Sequence, residues 1–323
     1  MSLLRLRLGV IGTLALVIAI STLFFTVVLS FMRALNLVAL AFFVILFNIA
    51  QWLVAPYLID GLYRTQSVSE SDSPKLYAMI ENLSRKIGVK TPKLMIANIP
   101  IPNAFAYGSP VAGNRVAVTS GMLKELEDEE IEAVVGHELG HLKHKDVQVM
   151  MIASVLPAIF YYLGYSVMMS SAYGRGQRRE EGGGLAALVG IASMIVYWVL
   201  TLFVLGLSRM REYYADRTSA LSVEDGARKL SEALAKIAKS TGRIKSYHGG
   251  IGGTNSFKAL FISDPDIAER DEAAIAASRT FRTDGRLVEE ILSRNVSTLD
   301  RVVELFSTHP NIVKRLQALQ RLA

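Results

Sequence analysis

The chain has 323 residues, of which 51% are hydrophobic, 20% charged and none cysteine. This composition excludes a disordered or collagen-like chain, and the missing cysteines exclude a disulfide framework, Cys-ligated zinc, iron–sulfur clusters and a thiol nucleophile. The net charge of +6 comes without any basic block interleaved with aromatics, so nothing supports nucleic-acid binding, and a mildly basic apolar chain fits an anionic lipid surface.

Four stretches carry no Asp, Glu, Lys or Arg: Leu8–Met32, Ala34–Ile59, Val147–Gly174 and Gly182–Ser208. Each exceeds the roughly 20 residues a helix needs to cross the hydrocarbon of a bilayer. The pattern predicts an integral membrane protein, mainly α with a small β-sheet, with about four transmembrane helices. Arg5, Arg7 and Arg64 put the N-terminus and the polar segments on the cytoplasmic side of a cell membrane, multi-pass. Two features strain that reading of the second hairpin. Pro157 and Gly190 interrupt its helices, and Arg175, Arg178 and Arg179 would lie on the outer side. The hairpin either crosses fully, the reading preferred here, or dips in from one side. The organisation expected is a hairpin over 1–64, a first polar segment over 65–146, a second hairpin over 147–208 and a second polar segment over 209–323, the two polar segments together making one folded domain.

Between the apolar runs, TQSVSESDSP reads as a serine-rich linker, with Ser73 capping a helix that has Pro74 at its first position. Leu76, Ile80, Leu83 and Ile87 follow at helical spacing. Pro92–Ile99 and Arg115–Thr119 read as short strands, with Phe105, Ala106 and Tyr107 between them. Glu127–Glu130 opens a helix with acids at its positive end. Beyond Ser208, helices are expected over Val223–Ser240, Leu287–Ser293, Leu299–Phe306 and Pro310–Leu322, with a flexible Gly-rich loop at His248–Gly253. The polar stretch Asp264–Asn295 fits no core pattern.

The chemistry concentrates in His137-Glu-Leu-Gly-His141. Two imidazoles four residues apart on a helix project from one face, the geometry that two zinc positions require, and Glu138 is turned to reach a water at the metal. A catalytic zinc wants a third protein ligand. A metzincin would place a histidine where Val147 stands, so that subclass fails. His144 lies too far along the axis from His137 for one ion to hold both well. The remaining candidates are carboxylates, His248 and His309. The sharpest is Glu212, with Asp216 one turn later on the same face, because the second hairpin returns the chain just before it.

These residues resemble the HtpX-type membrane zinc metalloproteases, relatives of the CAAX prenyl endopeptidases. The resemblance rests on His137–His141, on Arg209-Met-Arg-Glu212-Tyr-Tyr-Ala-Asp216, on Asn103-Ala104-Phe105-Ala106 followed by Val118–Leu123, and on Ser307-Thr-His-Pro310 followed by Lys314-Arg-Leu. It implies a zincin-like (gluzincin) protease domain holding one zinc ion per chain. His137, His141 and Glu212 would be ligands, Glu138 the general base, and Asp216 would orient a ligating histidine. Asn103–Ala106 would offer a strand edge to substrate, and His309 would stabilise the oxyanion or plug the resting site. The implied activity is cleavage of damaged or misfolded membrane proteins, as in a stress response. A prenyl-protein endopeptidase and a non-catalytic zinc-stabilised membrane scaffold are the alternatives.

Overall fold

The computed structural model describes residues 37–173, 183–248 and 284–323. The first apolar run, the arginine-bearing loop of the second hairpin and most of the Asp264–Asn295 stretch lie outside these residues. The described part is mainly helical with one small mixed sheet. The chain divides into two compact units, one of Met1–Gln51 with Gln148–Leu207, the other of Trp52–Val147 with Ser208–Ala323.

The first unit takes the early part of helix α1 (Leu37–Tyr63), most of α5 (Asp146–Tyr173) and the first half of α6 (Gly183–Ser222). Among the described residues, one helix, Leu188–Ser222, is long and apolar enough to cross a membrane. Helices α5 and α6 meet at glycines: a Cβ on Gly164 would lie 3.1 Å from the Gly190 carbonyl oxygen.

The second unit is built on a four-stranded sheet of order β1-β2-β4-β3. Its strands are β1 (Thr65–Ser67), β2 (Lys93–Ala97), β3 (Ala104–Ser109) and β4 (Gly113–Thr119). β2 and β4 run parallel, and β1 and β3 pair antiparallel on the outside. The side chains alternate as strand geometry demands. Leu94, Ala104, Val116 and Val118 join the main core, whereas Met95, Ala97, Phe105, Tyr107 and Ala117 form a second cluster with Tyr63. Helix α2 (Pro74–Ile87) buries Leu76, Ile80, Leu83 and Ile87 in the main core, as its spacing foretold. Most of the rest of that core comes from α3 (Ser120–Glu125), α4 (Asp128–Lys143), α7 (Gly226–His248), α8 (Asp284–Leu292) and α10 (Ile312–Gln320).

Several local expectations need correction. The serine-rich linker begins as strand β1, because Thr65–Ser67 finds an open edge on β2. Ser73 precedes α2 but its side chain makes no capping bond, its backbone (φ −148°, ψ 74°) lying outside the usual cap region. Phe105–Tyr107, which lie between the two strands expected from the sequence, form part of a further strand, β3. Helix α7 starts after a turn at Asp225 (φ 54°) and runs through to His248, past the expected end at Ser240. The last helix is capped by the Asn311 side chain on the Val313 N–H, with Pro310 before the cap.

Candidate active site

Helix α4 carries the His-Glu-x-x-His segment, and its start is tightly specified. Glu127 and Glu130 form a reciprocal capping box that satisfies two orphan N–H groups. Glu130 is itself buried, and Lys236 Nζ of α7 lies 2.8 Å from its Oε1. From there the helix runs through Ile131, Val134, Val135 and Leu139 on its buried side and brings His137, Glu138 and His141 to one cluster.

The later half of α6 crosses α4 at very close range. A Cβ on Gly140 would lie 3.0 Å from Ala215 Cα, and one on Gly136 would lie 3.2 Å from Ser219 Oγ. Ser219 Oγ fixes the crossing by donating to the Ala133 carbonyl at 2.6 Å. Gly136 and Gly140 are therefore what let α6 approach closely enough to deliver Glu212 and Asp216.

The resulting geometry brings His137, His141 and Glu212 together. His137 Nε2 and His141 Nε2 are 3.1 Å apart, and Glu212 carboxylate oxygens lie 3.7 Å and 3.6 Å from them. Ligand atoms about 2.0–2.1 Å from a tetrahedral zinc would be separated by about 3.3 Å, so this trio fits one ion. Asp216 Oδ1 sits 2.9 Å from His137 Nδ1. Asp146, which sequence reasoning gave no role, sits 2.5 Å from His141 Nδ1. Each imidazole thus has its far nitrogen on a carboxylate and its near nitrogen turned to the cluster, the usual arrangement behind a metal-binding histidine. His309 Nε2 lies 3.8 Å from Glu212 Oε1. His144 stands apart at the end of α4, 3.2 Å from Thr218 Oγ1 and against Tyr214. His248 ends α7.

Two arginines complete the site, neither assigned from sequence. Arg315 of α10 is buried and pairs with Asp216 through Nε at 2.9 Å and Nη2 at 2.6 Å, while its Nη1 lies 3.3 Å from Glu212 Oε2. Arg211 Nε lies 2.9 Å from Asp146 Oδ1. Four carboxylates (Glu138, Asp146, Glu212, Asp216), all buried, thus face two guanidiniums, a deficit that one divalent cation would cancel. The Glu212 Oε2 atom is buried without a hydrogen-bond donor, the second sign that these side chains suit a metal.

The electrostatics differ between the two glutamates. Burial pushes the Glu138 carboxyl above its ordinary range, against the opposing pull of His141 and His137. Burial acts on Glu212 too, but His309 and Arg315 outweigh it and hold that carboxyl below its usual value. Asp216 is held far below its usual value, because Arg315 and the His137 contact overcome burial.

The edge strand β3 lies beside this cluster. Its pairing with β4 runs from Ala104 opposite Val118 to Ser109 opposite Gly113, and the Ala106 N–H donates to Glu138 Oε2 at 2.8 Å. Asn103, just before the strand, is held by its own N–H donating to Thr119 Oγ1 at 2.9 Å. Thr119 N–H bonds the Asn103 carbonyl, so residues 103, 105 and 107 face β4, and Ala104, Ala106 and Gly108 turn their backbone groups to the free side.

Such a fold and site define a peptidase with a metal-binding character, and comparison with known proteins agrees. A model of peptidase family M48 matches residues 70–323, and the chain belongs to that family. Within it the resemblance is to the HtpX proteases. The chain is 38% identical over 294 residues to a protease HtpX homolog of Thermoplasma acidophilum, covering 90% of this chain and 86% of that one. It is 38% identical over 304 residues to protease HtpX homolog 2 of Saccharolobus solfataricus, covering 89% and 86%. The fold matches the crystal structure of S. mikatae Ste24p with a TM-score of 0.59 at 17% identity, over 98% of this chain and 66% of that one.

Proposed function

We propose that the protein is a zinc-dependent endopeptidase of the cell membrane that cuts misfolded or damaged membrane proteins from the cytoplasmic side. The observation that carries the reading is the convergence of His137, His141 and Glu212 within 3.1–3.7 Å, with Glu138 beside them. His137, His141 and Glu212 hold the ion, and Asp216 and Asp146 orient the two imidazoles. When bound, zinc supplies Lewis-acid polarisation of the scissile carbonyl and acidifies water. Glu138 takes the proton of the attacking water and passes it to the leaving amine, a task suited to a carboxyl whose affinity for protons is raised by burial. His309 donates to the developing oxyanion. The outer edge of β3, at Asn103–Ala106, receives an extended peptide as an added strand. Supporting the membrane assignment are the four uncharged runs and the apolar Leu188–Ser222 helix, with Phe203 71% and Leu188 64% exposed on it. The sequence divisions at 64, 146 and 208 follow from the same runs.

The test uses full-length protein in detergent with casein as substrate. Glu138→Gln keeps zinc and loses cleavage, whereas Glu212→Ala loses zinc. Cleavage retained by the first variant rejects the base, and normal zinc content in the second rejects the ligand. The prenyl-protein alternative shares the Ste24p fold, and cleavage of unprenylated casein by the wild type speaks for the broader specificity. A non-catalytic scaffold gives no need for a buried carboxyl at Glu138.

A further inference from the structure

We infer that Arg209 is a positioning residue for His309, acting through the backbone of the turn that carries it. The inference rests on the role given to His309 above. Arg209 stands three residues before Glu212 on α6. Its Nη1 lies 2.8 Å from the Glu304 carbonyl oxygen, 3.1 Å from that of Leu305 and 2.8 Å from that of Ser307. The first two close helix α9 (Thr298–Leu305), and the third belongs to the turn beyond it. Carbonyls at a helix end lack intrahelical donors and carry the negative end of the dipole, so a guanidinium suits them in both hydrogen bonding and charge.

From this anchor the chain reaches His309 in two residues. The His309 N–H donates to Ser307 Oγ at 3.2 Å, and Nδ1 lies 3.0 Å from Thr308 Oγ1. Glu304 holds the far side, accepting from the Asn311 N–H at 3.1 Å and pairing with Lys314. A single helix therefore supplies Glu212 and, one turn earlier, the cation that fixes the His309 turn. The spacing between His309 Nε2 and Glu212 Oε1, 3.8 Å, is set by that helix rather than by contacts of the His309 ring alone. An arginine that only stapled α9 for stability would act equally whether or not residue 309 is histidine.

A double-mutant cycle separates the two roles. It uses full-length, zinc-loaded protein and a fluorescence-quenched peptide, with kcat, KM and metal content measured for each variant. His309→Ala lowers kcat by roughly 10²–10³-fold, as loss of an oxyanion donor does. Arg209→Gln lowers kcat by roughly 10–100-fold through misplacement, with KM and metal content unchanged, and Arg209→Lys recovers most of that loss. In the His309→Ala background, Arg209→Gln changes kcat less than about twofold. Equal losses in both backgrounds, full activity in Arg209→Gln, or a loss that tracks metal content each overturn the inference. Unchanged kcat in His309→Ala removes its premise as well, while loss of cleavage in Glu138→Gln still upholds the peptidase reading. If Arg209→Gln does not fold, Arg209→Met, which keeps the length of the side chain without its hydrogen bonds, carries the same cycle.

Discussion

Gly140→Ala adds one carbon where α4 and α6 cross, and its consequence can be worked from distances. The new Cβ would lie 3.0 Å from Ala215 Cα and 3.3 Å from the Ala215 oxygen. Carbon atoms are best separated by about 3.5–4.0 Å, so α6 must withdraw by about 0.5 Å, because the obstacle is backbone and cannot turn aside. Ala215 lies between Glu212 and Asp216, so the same movement carries the carboxylate ligand from the imidazoles. Metal–ligand distances tolerate only about 0.2 Å, and we expect zinc affinity to fall on the order of 10–100-fold. Stability changes little, since overpacking of about 1–3 kcal/mol is partly offset by the ~0.5–1 kcal/mol advantage of Ala over Gly in a helix. Competition titration against a chromogenic chelator, with thermal unfolding of the metal-free protein, measures both quantities. Gly136→Ala should lower zinc affinity less, because its Cβ meets side-chain atoms of Ser219 and Val223 at 3.2 Å and comes no closer than 3.5 Å to the α6 backbone, at Ser219 Cα. Wild-type zinc affinity in Gly140→Ala would refute the argument that helix approach sets the site.

Three further outcomes follow from the buried charges. In the metal-free protein burial lowers the proton affinity of His141, but the Asp146 hydrogen bond and the nearby carboxylates outweigh it and raise its pKa to about 9. A raised folded-state pKa contributes stability that is full below about 6.5 and lost as pH rises through about 9, so urea unfolding should show that loss, and Asp146→Asn should shrink it. Arg315→Ala leaves Asp216 and Glu212 buried without their cation and should cost about 3–5 kcal/mol in metal-free protein, read by the same unfolding assay. Asp60 accepts from Tyr107 Oη at 2.6 Å and Thr65 Oγ1 at 2.6 Å and pairs with the buried Arg115, so Asp60→Ala should loosen β3 and raise KM several-fold more than it lowers kcat.

The parts of this molecule written in local periodicity were legible in the sequence. Leu76, Ile80, Leu83 and Ile87 declare the buried face of α2, and the acids at Glu127–Glu130 declare the start of α4. The imidazole pair was legible because its four-residue spacing is itself the geometry. Glu212 and Asp216 could be nominated because the same spacing recurs where an apolar hairpin returns. Asp146, Arg211 and Arg315 could not, since their roles depend on tertiary approach, although a carboxylate five residues past His141 is a usable signal. Strand β1 was hidden because three polar residues of a serine-rich segment pair by backbone alone. The continuation of α7 past Ser240 was hidden by the Gly-rich sequence that follows His248.

The central claim is that one zinc ion is held by two imidazoles and the Glu212 carboxylate. Zinc-edge X-ray absorption on purified full-length protein, with metal content measured in parallel, tests it most directly. The account predicts one zinc per chain in an all nitrogen and oxygen shell at about 2.0–2.1 Å with the scattering pattern of two imidazoles, and no zinc in Glu212→Ala. The same stoichiometry and spectrum in Glu212→Ala as in the wild type would contradict it.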